Sequence, residues 1–180
     1  MRPIHFVSLF STAGILLLAA CSGGSHPPLE VVESVSLERY AGTWYEIQRL
    51  PNSFEKGLTC VTATYTVLPN GKIEVKNRGV DVDDPSKVKD IKGSARVPNP
   101  DEPAKLKVTF FWPFAGDYHI LALDQEAYQY ALVGDPSRKF LWILGRESSL
   151  PATVTDSLLA IAKQRGFATD NMEVIPHDCP

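Results

Sequence analysis

The sequence predicts an all-β domain: an eight-stranded antiparallel up-and-down barrel with one C-terminal α-helix packed on its outside. Three observations predict it. From Thr43 onward, β-branched and aromatic residues recur with period two in short runs. Turn chemistry separates these runs about every ten residues, the spacing expected of barrels and sandwiches. After Arg146 the alternation stops, and Pro151 opens a stretch with helical periodicity.

The first run, residues 43–49, ends before Pro51, and residues 52–57 loop to a second run at 59–68. Pro69, Asn70 and Gly71 then reverse the chain. Asn and Gly tolerate positive φ, so residues 72–82 return as the other arm of a tight hairpin. Asp83, Asp84 and Pro85 mark the next loop, and the following strand, 88–97, is ended by Pro98, Pro100 and Pro103. Strands at 105–111, 118–123, 128–133 and 140–146 complete eight, joined by loops at 112–117, 124–127 and 134–139. A closed set of hairpin-linked strands leaves no unpaired edge, and eight enclose room for side chains or one small ligand.

Residues 152–165 form the helix, stopped by Gly166 at the position past the end that favours positive φ. Val154, Leu158, Ile161 and Ala162 make one apolar stripe for the barrel wall. A short strand at 173–175 brings Cys179 back to the domain.

Before the barrel, Arg2 is followed by an apolar run from Phe6 to Leu18 and by small residues Ala19 and Ala20, the layout of a signal peptide over residues 1–20. The purely apolar part is about half of the ~20 residues a membrane-crossing helix needs. Leu18, Ala19, Ala20 and Cys21 resemble a bacterial lipobox, which implies acylation of the Cys21 thiol after cleavage and a membrane partner held through that lipid. Ser22 after the cysteine, by resemblance to lipoproteins of Gram-negative bacteria, implies the cell outer membrane. Residues 21–34 are then the lipidated N-terminus and a flexible tether, rich in Ser, Gly and Pro near its start, and residues 35–180 are the folded domain.

The formal net charge of -3, from 18 basic and 21 acidic residues mixed along the chain, provides no basic field for phosphates, so nucleic acid is not an expected partner. His26, His119 and His177 are widely separated and suggest no metal site, and no cofactor is expected. No nucleophile elbow or HExxH occurs, and Glu46, Glu74 and Asp90 form no close acidic pair, which argues against an enzyme.

Gly42, Thr43 and Trp44 beginning the first strand, Gly116, Asp117 and Tyr118 beginning the sixth, and Arg146 ending the eighth together resemble the three sequence blocks of the lipocalin family. The resemblance covers nearly all of the mature domain. It is nearest to the bacterial outer-membrane lipocalins and apolipoprotein D, in residues 42–47 and 141–146. It implies structural parts for these residues at the closed end of the barrel, with Trp44 as the plug and Arg146 against its ring. Cys60 and Cys179 remain as an even pair in an oxidising compartment, either bridged or free and buried. The resemblance implies the bridge, closing a loop of about 119 residues worth roughly 4 to 5 kcal/mol in the chain-entropy model.

Lipocalin topology implies a lumen for a fatty acid, lysophospholipid or other small apolar ligand. Alternation then nominates lumenal residues: Val61, Ala63 and Tyr65; Ile73, Val75 and Asn77; Leu106, Val108 and Phe110; and His119, Leu121 and Leu123. Glu46 shares the parity of Trp44, with water, an ammonium headgroup, or Arg78 or Arg96 as partners for its carboxylate. Phe54, Phe111, Trp112 and Phe114 are placed around the mouth, as a cover for the ligand, a hydrophobic mini-core under loops, or a contact with the membrane surface. A lipocalin-fold enzyme, a barrel filled by its own side chains, and association with a second copy of the chain stay open at this point.

Overall fold

The computed structural model describes residues 26–179, so the lipobox, Cys21 and Ser22 lie outside the described residues. Ser36 caps a one-turn helix, α1 (Leu37–Tyr40), its Oγ accepting from the Arg39 N–H. Gly42, at φ +95°, then turns the chain into β1 (Gly42–Arg49). Next come β2 (Leu58–Val67), β3 (Ile73–Asp81), β4 (Val88–Arg96), β5 (Lys105–Phe111), β6 (Phe114–Leu123), β7 (Tyr130–Gly134) and β8 (Leu141–Gly145). After them come α2 (Ala152–Gln164), a 3-10 turn (Thr169–Asn171) and β9 (Glu173–Val174). Each of the eight main strands pairs antiparallel with the next, and β8 pairs with β1 to close the barrel.

β1 changes partners along its length. Its first half pairs with β2, from Gly42↔Tyr65 to Tyr45↔Thr62, whereas Gln48 and Arg49 pair with β9. β2 leaves β1 at an irregularity between Thr59 and Thr62, where Cys60 sits at φ +49°. The C-terminal strand fills the resulting gap. The Cys60 N–H donates to Pro176 O at 2.9 Å, and the Cys60–Cys179 disulfide fastens the segment there.

Two apolar clusters result. One lies inside the barrel and includes Trp44, Tyr65, Val75, Leu106 and Ile120. The other joins the outer wall to α2, with Leu158, Ala162 and Phe167 against Leu121, Leu132 and Ile143. This is the apolar stripe expected of the helix.

The structure moves three boundaries. Packing begins at Leu29, which is buried against the α2 cluster, and Val31 and Val32 also pack on the barrel, so the domain starts before Val35. β6 begins at Phe114, because Phe111 and Phe114 pair across a two-residue turn with a cis Trp112–Pro113 peptide. Residues 114–117 are exposed on both faces, which leaves no hydrophobic alternation to read. Gly116 and Asp117 therefore lie within the strand rather than at its start. β7 begins at Tyr130, since Tyr128 adopts φ +57° and breaks the ladder.

Candidate functional site

Trp44 is fully buried at the closed end, its Nε1 donating to Tyr40 O at 2.8 Å. The Arg146 guanidinium lies 3.8 Å above the Trp44 ring and donates to the carbonyls of Arg39, Tyr40, Ala41 and Thr43, with Nε directed to Tyr128 O. A side chain on Gly42 would press to 3.3 Å from Arg146 Nη1. Above this plug the Tyr118 hydroxyl bonds to those of Tyr40 at 2.7 Å and Tyr65 at 2.9 Å. Burial pushes all three phenol pKa values up, so the hydroxyls remain neutral hydrogen-bonding groups. Tyr65 and Tyr118 thus form part of the lumen floor.

The inner cluster around these tyrosines is apolar and of mixed size, with Ala63, Val75, Ala95, Val108 and Val133 beside Ile73, Leu106, Ile120 and Leu144. Asn77 faces Ala63 across the β2–β3 ladder, and its Oδ1 is buried without a hydrogen-bond partner. Phe110 turns partly inward over Gly93, where a Cβ would come within 2.7 Å of its ring and 2.6 Å of Thr109 O. Only glycine fits there.

His119 does not face the lumen. Its neighbours Tyr118 and Ile120 belong to the inner cluster, whereas Leu121 belongs to the α2 cluster, so His119 and Leu121 lie on the outer wall. The β6–β7 register shifts between Ile120 and Ala122, and this returns Leu123 to the inside. Alternation counted along the strand crosses that irregularity and assigns the wrong face. His119 Nε2 lies 3.7 Å from Asp117, which also pairs with Lys107 at 2.7 Å. Burial, reinforced by Lys105 and Lys107 and opposed by Asp117, lowers its pKa.

Glu46 does face inward and is buried, but its partner is Arg49 rather than Arg78 or Arg96. Arg78 instead lies near Asp90 on the surface. A register shift between Glu46 and Gln48 puts Arg49 on the inner face opposite Trp142. Arg49 Nη1 donates to Glu46 Oε1 at 3.0 Å, and Nη2 donates to Glu55 O and Leu58 O. The Glu55 carboxylate, also buried, accepts from Asn52 Nδ2 at 2.6 Å and Trp142 Nε1 at 3.1 Å. Of the two buried carboxyls only that of Glu46 pairs with the guanidinium, whose Nε also lies 3.6 Å from the half-exposed Glu173 carboxylate; Glu55 meets Arg49 through its backbone carbonyl. Burial and the neighbouring Glu55 push the Glu46 pKa well above the usual carboxylate range, outweighing Arg49. Alternation could not find Arg49 or Glu55, since one follows a bulge and the other is on a loop. Trp142 was legible in principle from its parity with inward Leu144.

The mouth aromatics separate into two groups. Phe54 packs with Phe140 at 5.5 Å and Trp142 at 6.4 Å between ring centres, beside the polar cluster. Phe111, Trp112 and Phe114 form the β5–β6 tip and are 71 %, 89 % and 78 % exposed, so they are no mini-core under loops.

These features define a closed antiparallel barrel whose apolar interior has a hydroxyl floor and an ionisable cluster toward its mouth. Residues 35–177 match the family described as "Lipocalin-like domain". The chain belongs to the lipocalin family. It is 40 % identical over 173 residues to outer membrane lipoprotein Blc of Citrobacter freundii, covering 96 % of each chain. It is 38 % identical over 167 residues to apolipoprotein D of Mus musculus, covering 87 % of this chain and 85 % of that protein. Among solved structures, insecticyanin from the tobacco hornworm Manduca sexta superposes with a TM-score of 0.67 at 23 % identity, over 85 % of this chain and 86 % of that one, a likeness of fold.

Proposed function

We propose that this chain is an outer-membrane lipoprotein, acylated at Cys21 after loss of residues 1–20, whose barrel binds and carries single-chain lipids such as fatty acids and lysophospholipids. It acts as a carrier and not as an enzyme. The observation that carries the reading is the arrangement of polarity inside the barrel: apolar walls lead from a tyrosine floor toward the buried Arg49, Glu46 and Glu55 cluster, past the unpartnered Asn77 Oδ1. An acyl chain suits the walls and a polar headgroup suits the cluster. Burial of about ten methylenes at ~0.8 kcal/mol each supplies roughly 8 kcal/mol before ordering costs, enough for micromolar binding. Tyr65 and Phe110 then meet the chain, Asn77 its polar groups, and Glu46 acts on the headgroup through Arg49. The relatives named as outer membrane lipoproteins support the location.

The test is to purify the full chain in mild detergent, identify lipids in an organic extract by mass spectrometry, and titrate fatty acid and lysophospholipid while following tryptophan emission. Trp142, beside the polar cluster, is the expected reporter. Saturable quenching or enhancement, displaced by unlabelled lipid, is the expected result. A folded chain that releases no lipid and binds neither ligand refutes the reading.

A further inference from the structure

We infer that the open rim of the barrel faces the bilayer, with Phe111, Trp112 and Phe114 at the β5–β6 tip seated in the lipid headgroup region. The inference rests on Cys21 being the acylated residue. Two independent observations meet in it.

The first is the path of the chain before β1. Pro27 O accepts from Arg138 Nη2 at 2.8 Å, and Arg138 lies in the β7–β8 turn. In an up-and-down barrel this turn is at the same end as the β1–β2, β3–β4 and β5–β6 turns, and the Phe54–Phe140 ring contact joins two of them directly. From there Leu29 packs toward α2, the Val32 N–H donates to Ile120 O, and the Ser36 N–H reaches the Tyr128 hydroxyl beside the β6–β7 turn at the closed end. The segment therefore runs from the open end to the closed end before β1 starts. An anchor upstream of His26 departs from the open end. The six residue steps from Cys21 to Pro27 span at most about 20 Å, so the mouth is held near the membrane.

The second observation is the tip itself. Residues 108–116 include no charged side chain, and the three exposed rings present an apolar projection on the order of 400 Å². Five residues of β6 (114–118) continue past the His119↔Gly134 pair, carrying the tip roughly 17 Å along the strand beyond the end of β7. That projection is similar to the reach of the tether. Trp112 on the two-residue turn suits the membrane–water interface, where an amphipathic indole is favoured, and the flanking Phe111 and Phe114 add apolar surface. A monoacyl lipid then passes between the bilayer and the lumen through the rim rather than through bulk water.

Full-length acylated protein is reconstituted into phosphatidylethanolamine and phosphatidylglycerol vesicles with acyl chains brominated near the headgroup. Trp44 is fully buried and Trp142 partly so, hence subtracting the emission of Trp112→Phe isolates Trp112. The expected Trp112 component is blue-shifted and loses roughly half or more of its intensity relative to unbrominated vesicles. In a Phe111→Ser/Phe114→Ser variant that loss is smaller. An unquenched Trp112 emitting at the solvent-exposed wavelength overturns the proposal. Mass spectrometry of the same sample reads the anchor separately: an unacylated Cys21 refutes both readings. An acylated chain with quenched Trp112 that binds no fatty acid supports this orientation while refuting the lumenal function.

Discussion

Arg146 directs its donors to backbone carbonyls at the closed end while its face covers Trp44. Lysine supplies a point charge that cannot fork to these acceptors or stack on the ring. Arg146→Lys is expected to cost about 2 to 4 kcal/mol, read as a lower urea midpoint at unchanged m-value. A loss under half a kcal/mol would sink the clasp argument. Glu46 gives a pH prediction. Its folded-state pKa is raised by burial and Glu55, so the folded chain holds a proton that the unfolded chain releases. Its contribution is present at low pH and is lost as pH rises from the ordinary value of 4.5 through the folded value. Glu46→Gln keeps an acceptor for Arg49 and removes this titration. Stability measured from pH 5 to 8 should fall less steeply in the variant, by up to about 1.4 kcal/mol per pH unit where Glu46 titrates. Parallel curves would show that Glu46 does not titrate in this window.

β9 is two residues long and its neighbours are held by the Cys60–Cys179 bridge, which is why the seam between β1 and β2 can be closed by so short an element. Replacing both cysteines by serine frees a 119-residue loop in the unfolded chain, with an expected loss of roughly 4 to 5 kcal/mol, less any strain relieved. Thermal unfolding of oxidised, reduced and double-serine proteins separates loss of the bridge from the substitutions themselves. Hydrogen exchange in the double variant should rise first at the amides of position 60, Gln48 and Ile175, where the seam is held. Uniform loss of protection across the barrel would instead make the bridge a global staple.

For the molecule as a whole, the barrel is a container only if its middle stays clear. Ala63 pairs with Trp44 of the plug on one side and with Asn77 on the other, so it stands at the base of that space. Ala63→Trp is expected to abolish fatty acid binding by filling that level, at a stability cost of about 1 to 3 kcal/mol from overpacking. The wild-type barrel at a fatty acid concentration one hundred times Kd should gain about 2.7 kcal/mol of stability, and the Ala63→Trp variant none. Equal thermal shifts in both proteins would place the lipid outside the lumen.

Local chemistry made much of this legible in advance. The Asn70–Gly71 turn, the proline cluster after β4, the Pro151 opening and Gly166 stop of α2, and the period-two runs each depend on a few adjacent residues, whose backbone preferences act without knowledge of the fold. Those signals determined eight strands, one helix and their order, and the spaced Gly42–Trp44, Asp117–Tyr118 and Arg146 blocks pointed to the family. What local pattern could not determine was which face meets the lumen after a bulge. An extra residue reverses the parity of everything that follows, and whether a ladder tolerates it depends on the partner strand. That is why Arg49 entered the lumen and His119 left it. The β6 extension was hidden for the complementary reason that a ribbon solvated on both faces has no hydrophobic period. The path of residues 27–36 from the open end to the closed end rests on contacts with β6, the β6–β7 turn, the β7–β8 turn and α2, distant in sequence, so only the tertiary structure could decide which end of the barrel lies nearest the anchor.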